Sequence, residues 1–564
     1  MQKYGTYMEQ DRSSGVPQPP QQIKQPQPTQ PVEPTTPVSP QPFASRDWAI
    51  VAMALAQAVL WVTVFWPSDL YISYPGIPGL TDWTILGLAL PGIGLTLVQL
   101  AGLGCTLCAI GRRGRYDRTT VPLLAACMMM CTFPTLFGNQ VLRVLNCLVL
   151  WVTETHALFL VANLYPAAGV TLASLVAALQ NRIVSLVCYV PKPFVELGRA
   201  VAARRTALQA SSGDARDRSQ VREVLLGVFV AVPLLAVVYP LLASADNVFA
   251  AILADAGNAL ARALFPDLDS LLCRMVFALI LAPFLFSLMW GLARTNETAT
   301  APARTAPRRG LRTTSVAVVL AALNLMYALF VAVQLVFLFA GFSTATYAED
   351  ARSGFFQLVA VASINVIVSL VVVRFAELRR VPRAGNDSVE PCGRPSPVVT
   401  VLLWLLVAMT FAILASAALR MWLYVDAYGL TILRCLTFLG MAFIAVVLAM
   451  LVAKTFVPSF GFYRAAFAGG LALWLVFNLV NIDAVIANHN VDAIINGSLE
   501  QIDIDYFWHL SSDADVALKR LETSSAARGY RLAIRERLEA SAKAKSELPW
   551  QMQCLPYWRV GQAK

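Results

Sequence analysis

Apolar residues in this chain fall into long runs separated by short polar breaks. That pattern belongs to helices facing hydrocarbon, not to amphipathic helices around a soluble core. Clear runs lie near 48–66, 84–110, 120–137, 223–243, 271–292, 315–341, 355–375, 397–419, 430–453 and 465–482. Each has roughly the 18–27 residues that carry an α-helix across a bilayer of ~30 Å. Two more stretches, 141–164 and 167–190, are apolar but carry polar residues.

The charges between the runs set the parity. With a cytoplasmic N-terminus, the loops assigned inside hold Arg112, Arg113, Arg115 and Arg118, then seven Lys/Arg over 192–222, five over 293–314, four over 376–396 and two over 454–464. The loops assigned outside hold only Arg262, Arg352 and Arg420. Cationic loops stay cytoplasmic, so 192–222 belongs inside, and one crossing between 138 and 191 satisfies that. We assign it to 141–164 and lay 167–190 along the inner face, because Gln180, Asn181 and Arg182 interrupt it. The expected fold is all-α, a polytopic integral membrane helix bundle of about eleven transmembrane helices over 46–482, with the C-terminal tail extracytoplasmic.

Composition agrees. The 564 residues are 57% hydrophobic and 14% charged, with a mean hydropathy of +0.61. A soluble chain carries about a quarter charged residues, so a soluble globular enzyme is excluded. The net charge of +10 sits in the loops, which removes nucleic acid as a partner and leaves the lipid bilayer. Residues 1–45 hold ten Pro and nine Gln. Such a segment is expected to be a disordered cytoplasmic tail, with proline spacing that offers a ligand to a cytoplasmic partner. Residues 483–564, with ten Lys/Arg and eleven Asp/Glu, read as a small helical region, with helices at Ser512–Leu521 and Arg528–Ala544. The ten cysteines lie mostly within apolar runs and behave as small apolar residues. Oligomeric state is not written in the sequence.

Polar chemistry concentrates in two places. Ionisable groups inside spans are costly and are functional candidates by default. Glu154 and His156 form such an intramembrane pair, set either for proton relay or for pairing with Arg143, Asn146 or another helix. The second place is the outer ends of the spans. There the topology collects Asp246, Tyr347, Glu349, Asp350, Arg352, Arg420, Tyr424, Asp426, Tyr428, Arg434, Asn481 and Asp483. These line a polar outward cavity or form an ion-pair network that pins the loops. Segment 244–270 reads as an amphipathic helix at the same face. Asn324, Asn365 and Asn478 suit hydrogen bonds between helices.

No Walker loop, strand-linked GxGxxG, HExxH or nucleophile elbow is present. Accordingly no cofactor, metal or catalytic residue is assigned.

Six stretches together resemble a known family: YPLLASADNVF (239–249), LNLMYALFVAVQL (323–335), TYAEDARSGFFQL (346–358), SAALRMWLYVDAYGLTILR (416–434), NLVNIDAVIANHNVD (478–492) and DIDYFWHLSSDADVAL (503–518). They resemble the bacterial polytopic membrane proteins grouped as domain of unknown function 4173, over about 230–520. The resemblance implies an integral protein of the bacterial plasma membrane and carries over no catalytic residue. Three functions fit: binding or moving a solute or lipid-linked molecule through an outward polar cavity, envelope sensing or scaffolding, and enzymology on an envelope lipid or glycan.

Overall fold

The computed structural model describes residues 43–65, 90–165, 170–209, 269–294, 312–339, 344–375, 380–383, 386–391, 396–457, 459–499 and 503–559. The Pro/Gln tail up to residue 42, the run 223–243 and the segment 244–268 lie outside the described residues. From Ala44 on the chain forms one compact unit.

The bundle is helical, as its apolar runs require. In chain order its helices are α1 (Ser45–Val64), α2 (Ile93–Ile110), α3 (Thr120–Leu136), α4 (Gln140–Val161), α5 (Leu172–Cys188), α6 (Lys192–Gln209) and α7 (Asp269–Arg294). There follow α8 (Thr313–Phe339), α9 (Thr344–Phe375), α10 (Pro397–Tyr428), α11 (Ile432–Phe456) and α12 (Phe462–Leu479). A short antiparallel hairpin, β1 (Arg380–Arg383) with β2 (Asn386–Pro391), joins α9 to α10. Among the described residues ten helices are long and apolar enough to cross a membrane, and α3 is a shorter apolar helix. The protein is therefore a multi-pass membrane protein.

Of the stretch laid along the inner face by sequence, 167–190, the part from Leu172 on belongs to Leu172–Ala203, which is long and apolar enough to cross, as is Gln140–Val161. Of its polar interruption, Gln180 and Asn181 are exposed and only Arg182 is satisfied inside the protein. Arg182 is buried, donates to the Leu288 carbonyl at 3.0 Å, and stands 3.7 Å from Glu154.

Two groups of helices pack side by side. In the first, α1 lies against α7 and α2, α2 against α3, and α3 against α4. In the second, α10 packs on α8, α9 and α11. Helix α12 bridges them, with Leu471 in the core of α2, α3 and α4. Polar side chains fasten the seams. Asn146 donates to Asn478 at 2.7 Å and accepts from Trp474 at 2.8 Å. Asn324 donates to the Leu402 carbonyl at 2.9 Å, and Asn365 joins Tyr327 to Thr410. Each satisfies a donor or acceptor that lipid cannot.

The bundle has two distinct ends. At one, Arg46 donates to the carbonyls of Ala109 and Ile110, and the Arg115 amide donates to the Val161 carbonyl at 2.7 Å. At the other sits the C-terminal region: α13 (Ile482–Ile495), α14 (Ile504–Trp508), α15 (Asp515–Thr523), α16 (Arg531–Glu547) and α17 (Leu555–Arg559). Ile486, Val491, Leu510, Leu518, Leu521 and Ile534 give it an apolar core shared with Leu142 and Ile432 of the bundle. The Ile93 amide donates to the Gln553 carbonyl at 2.9 Å, and Phe65 packs on Leu548, Met552 and Tyr557.

Candidate functional site

Helix α10 is longer than its apolar run. Ala417, Met421 and Val425, four residues apart, are all buried, so the helical face continues past the run and the helix with it. It stops at Gly429, whose φ of 78° is one that residues with a side chain seldom adopt. Arg420, Tyr424, Asp426 and Tyr428, expected in a loop, thus occupy its last turns. Tyr347, Glu349, Asp350 and Arg352 likewise fall on the first turns of α9 rather than in a loop. Asp246 lies outside the described residues.

At this end a cleft of about 220 Å³ opens between α9, α10 and α11. Phe355 and Phe356, Arg420 and Tyr424, and Thr431 and Arg434 line it. Arg434 donates to the carbonyls of Tyr428, at 3.0 Å, and Gly429. Its guanidinium lies 4.4 Å from the centre of the Tyr424 ring, which packs at 4.9 Å on Tyr428. The carbonyls at the C-terminus of α10 and the ring face thus hold this cation in place. Arg420 approaches the bare Gly354 of α9 so closely that a side chain there would meet its guanidinium. Phe356 and Leu433, at the cleft, are exposed. The site therefore joins two cations, of which Arg434 is held in place, with aromatic faces and an apolar margin. That combination suits a phosphate or carboxylate on an apolar molecule.

The remaining members of the sequence-predicted outer cluster have structural surroundings. Asp426 is exposed and does not line the cleft. Asn481 caps α13 by accepting from the Ala484 amide. Asp483 is buried, accepts from Asn139 at 2.7 Å and from the Ser511 amide at 3.0 Å, and its carboxyl is raised above the usual range by burial. Beside it lies a network that sequence reasoning missed. Arg537, 1% exposed, donates to Asp515 at 2.9 Å, to Ser541, and to the carbonyls of Phe507, Leu510 and Ser511. Burial pushes Asp513 and Asp515 up to about 6, against the pull of Arg559 on the first and Arg537 on the second. Arg143 is equally buried and gives its donors to the carbonyls of Leu90 and Phe137. No sequence signal marks Arg537, since its helix reads as a solvated, mixed-charge one. The Arg537 network holds the tail together, and the bond from Asn139 to Asp483 ties the tail to the bundle.

Glu154 and His156 do not meet. Glu154 pairs with Arg182 of α5, while His156 Nδ1 lies 2.7 Å from the Tyr165 hydroxyl and its ring 4.6 Å from Phe467. Among the described residues no three His, Cys, Asp or Glu side chains are grouped to hold a metal ion.

A family model described as Domain of unknown function (DUF4153) matches residues 124–521. Its number differs from that of the family the six stretches resemble, and the match begins about a hundred residues earlier in the chain. No curated protein and no solved structure matches the chain.

Proposed function

Because the chain belongs to the family Domain of unknown function (DUF4153), with no activity attached, we propose from its own geometry that it is an integral protein of the bacterial envelope. In this reading it binds a phosphate-bearing lipid or lipid-linked molecule in the cleft between α9, α10 and α11. The Lys/Arg distribution supports an extracytoplasmic position for that cleft, on the same side as the C-terminal region.

One observation carries the reading. Arg420 and Arg434 come from successive helices and face one cleft whose walls are aromatic and whose margin includes exposed Phe356 and Leu433. A phosphate bound there keeps its charge on guanidinium groups while the attached chain stays in hydrocarbon. All but Thr437 of the lining residues belong to the stretches 346–358 and 416–434. An enzyme acting at this face would need carboxylates such as Asp350, Asp426 or Asp483. The last is committed to Asn139 and Ser511, and Asp426 is not in the cleft.

The test uses purified protein in neutral detergent, titrated with short-chain phosphatidylglycerol and, in parallel, short-chain phosphatidylcholine. The proposal expects tighter binding of the anionic lipid, and a loss of that preference by tenfold or more in R420Q/R434Q. Equal binding of the two lipids by the wild type would refute it.

A further inference from the structure

We propose a second ligand site at the opposite end of the bundle, a cavity of about 450 Å³ that takes a phosphate ester with an apolar organic part. It is separate from the cleft of Arg420 and Arg434 and does not depend on it.

The mouth is cationic. Arg115 and Arg118 come from the turn between α2 and α3, and Arg464 from the first turn of α12. Asp117 is the carboxylate at the mouth, and its partners are internal. It accepts from the amides of Thr119 and Thr120, at 3.0 and 2.9 Å, and from the Thr119 hydroxyl at 2.7 Å, and it pairs with Arg115 at 2.8 Å. The Thr119 hydrogen bond foremost holds its carboxyl well below the usual range. One arginine is therefore balanced. Arg118 and Arg464 are exposed and make no ion pair among the described residues. Two guanidinium groups on one opening, uncompensated by acid, are the usual setting for a phosphate.

The floor is aromatic. His156 and Tyr165, joined at 2.7 Å, sit with Phe159 and Phe467. Tyr165 packs on Phe159 at 5.9 Å and on the His156 ring at 5.3 Å. A phosphate held at the mouth would direct its organic part onto these rings. The walls are also tied together. The Arg115 amide donates to the Val161 carbonyl, and Asn163, with φ of 55°, forms a turn just past the end of α4. A non-glycine residue in the left-handed region is uncommon and marks a turn held by its surroundings. The α2–α3 turn is thus tied to the end of α4, and its Arg115 and Arg118 line the same cavity as Arg464 of α12.

A phospholipid headgroup and a soluble aryl phosphate share this chemistry, and the experiment separates them. Full-length protein is measured with phenyl phosphate in neutral detergent, and in nanodiscs of phosphatidylglycerol against phosphatidylcholine by native mass spectrometry of retained lipid. Both arms are repeated in R420Q/R434Q, where the other cleft is disabled, and in R118Q/R464Q. Saturable binding of either probe that survives R420Q/R434Q and weakens tenfold or more in R118Q/R464Q supports the site. Phenyl phosphate binding assigns a free ester, and retention of phosphatidylglycerol alone assigns a headgroup. Binding unchanged in R118Q/R464Q, or binding of neither probe by the wild type, overturns it. Because Arg118 and Arg464 are exposed, their replacement leaves the fold intact, and R118K/R464K checks whether charge alone suffices.

Discussion

Asn139 and Asp483 lie 344 residues apart in the chain and meet through a 2.7 Å hydrogen bond at the end of the bundle that the C-terminal region covers. Asp483 also takes the Ser511 amide, so one carboxylate ties the start of α4, the start of α13 and the approach to α15. Removing one partner of a buried polar pair leaves the other unsatisfied, at about 1–3 kcal/mol. Asn139→Ala and Asp483→Ala should therefore loosen the tail without unfolding the bundle. Limited proteolysis should cut within 503–559 faster in both variants, while fragments covering α1–α12 persist. Unchanged cleavage would remove Asp483 from its role as a fastening point.

The buried arginine gives a sharper test. Arg537 places all its donors inside the tail and faces Asp515, whose second oxygen has no hydrogen-bond partner. Breaking a buried pair by removing one charge costs about 3–5 kcal/mol, whereas replacing both partners with apolar residues is often neutral. R537M should lower the melting temperature of the tail substantially, and R537M/D515L should recover most of the loss. A double variant no better than the single would show that the carbonyl contacts of Arg537 dominate.

How much of this was legible beforehand divides along physical lines. Spans such as Ile432–Phe456 and Pro397–Tyr428 announce themselves, because the bilayer demands a long apolar run whatever packs around it. The glue residues Asn365 and Asn478 were legible for the same reason, since a polar group in hydrocarbon must find a partner. Arg420 and Arg434 were picked out by topology, but their common cleft was not, because it depends on α10 continuing beyond its apolar run. Arg143 was marked by its place in an apolar run, but Arg537 was invisible as a buried charge. Its burial follows from contacts between segments of the tail, and a charged helix there looks the same whether solvated or enclosed. Glu154 and His156, two residues apart, fall on different sides of one helix, and each turns to a different neighbour, Glu154 to Arg182 and His156 to Tyr165.

The tail should respond to pH in an unusual direction. Asp513 and Asp515 are raised to about 6 in the folded protein, against about 3.9 for an unperturbed Asp. Asp513 faces Asn481, Asp483, Ser511 and Arg559; Asp515 faces Arg537, Ser541 and Asp513. As pH rises from about 4 the undocked tail ionises first, so the docked form, which binds more protons, loses stability until pH passes about 6. Hydrogen exchange of the 503–559 amides, corrected for the intrinsic rate, should show stronger protection at pH 4.5 than at pH 7. Protection that instead rises with pH would mean that Arg537 outweighs burial.

Gly354 offers a way to disturb the proposed cleft without disturbing the fold. A methyl group there would meet the guanidinium of Arg420, the far end of a flexible side chain. The arginine can therefore swing away while both helices stay in place. Gly354→Ala should keep the unfolding free energy within about 1 kcal/mol of wild type, since alanine is also the better helix former. It should weaken phosphatidylglycerol binding several-fold. A variant that binds as the wild type does would show that Arg420 is not a ligand-binding group.

The membrane orientation can be read by fusion. The end with Arg112, Arg113, Arg115 and Arg118 should face the cytoplasm, and the end covered by α13–α17 the other side. Alkaline phosphatase joined after Lys564 should then be active, and the same enzyme joined after residue 210 inactive. The second fusion carries more information. The stretch Leu172–Ala203, which begins with α5, is long and apolar enough to cross, and if it did so in addition to α4 the arginines that follow it up to residue 222 would be carried outward against the charge bias. Its Arg182 is buried, held by Glu154 and the Leu288 carbonyl, while Gln180 and Asn181 beside it are exposed. Phosphatase activity after residue 210 would mean that this internal pairing overrides loop charge and that α5 is a full span. Inactivity at 210 with activity at 564 would place the cleft of Arg420 and Arg434 outside and the cavity of Arg118 and Arg464 inside, on opposite leaflets.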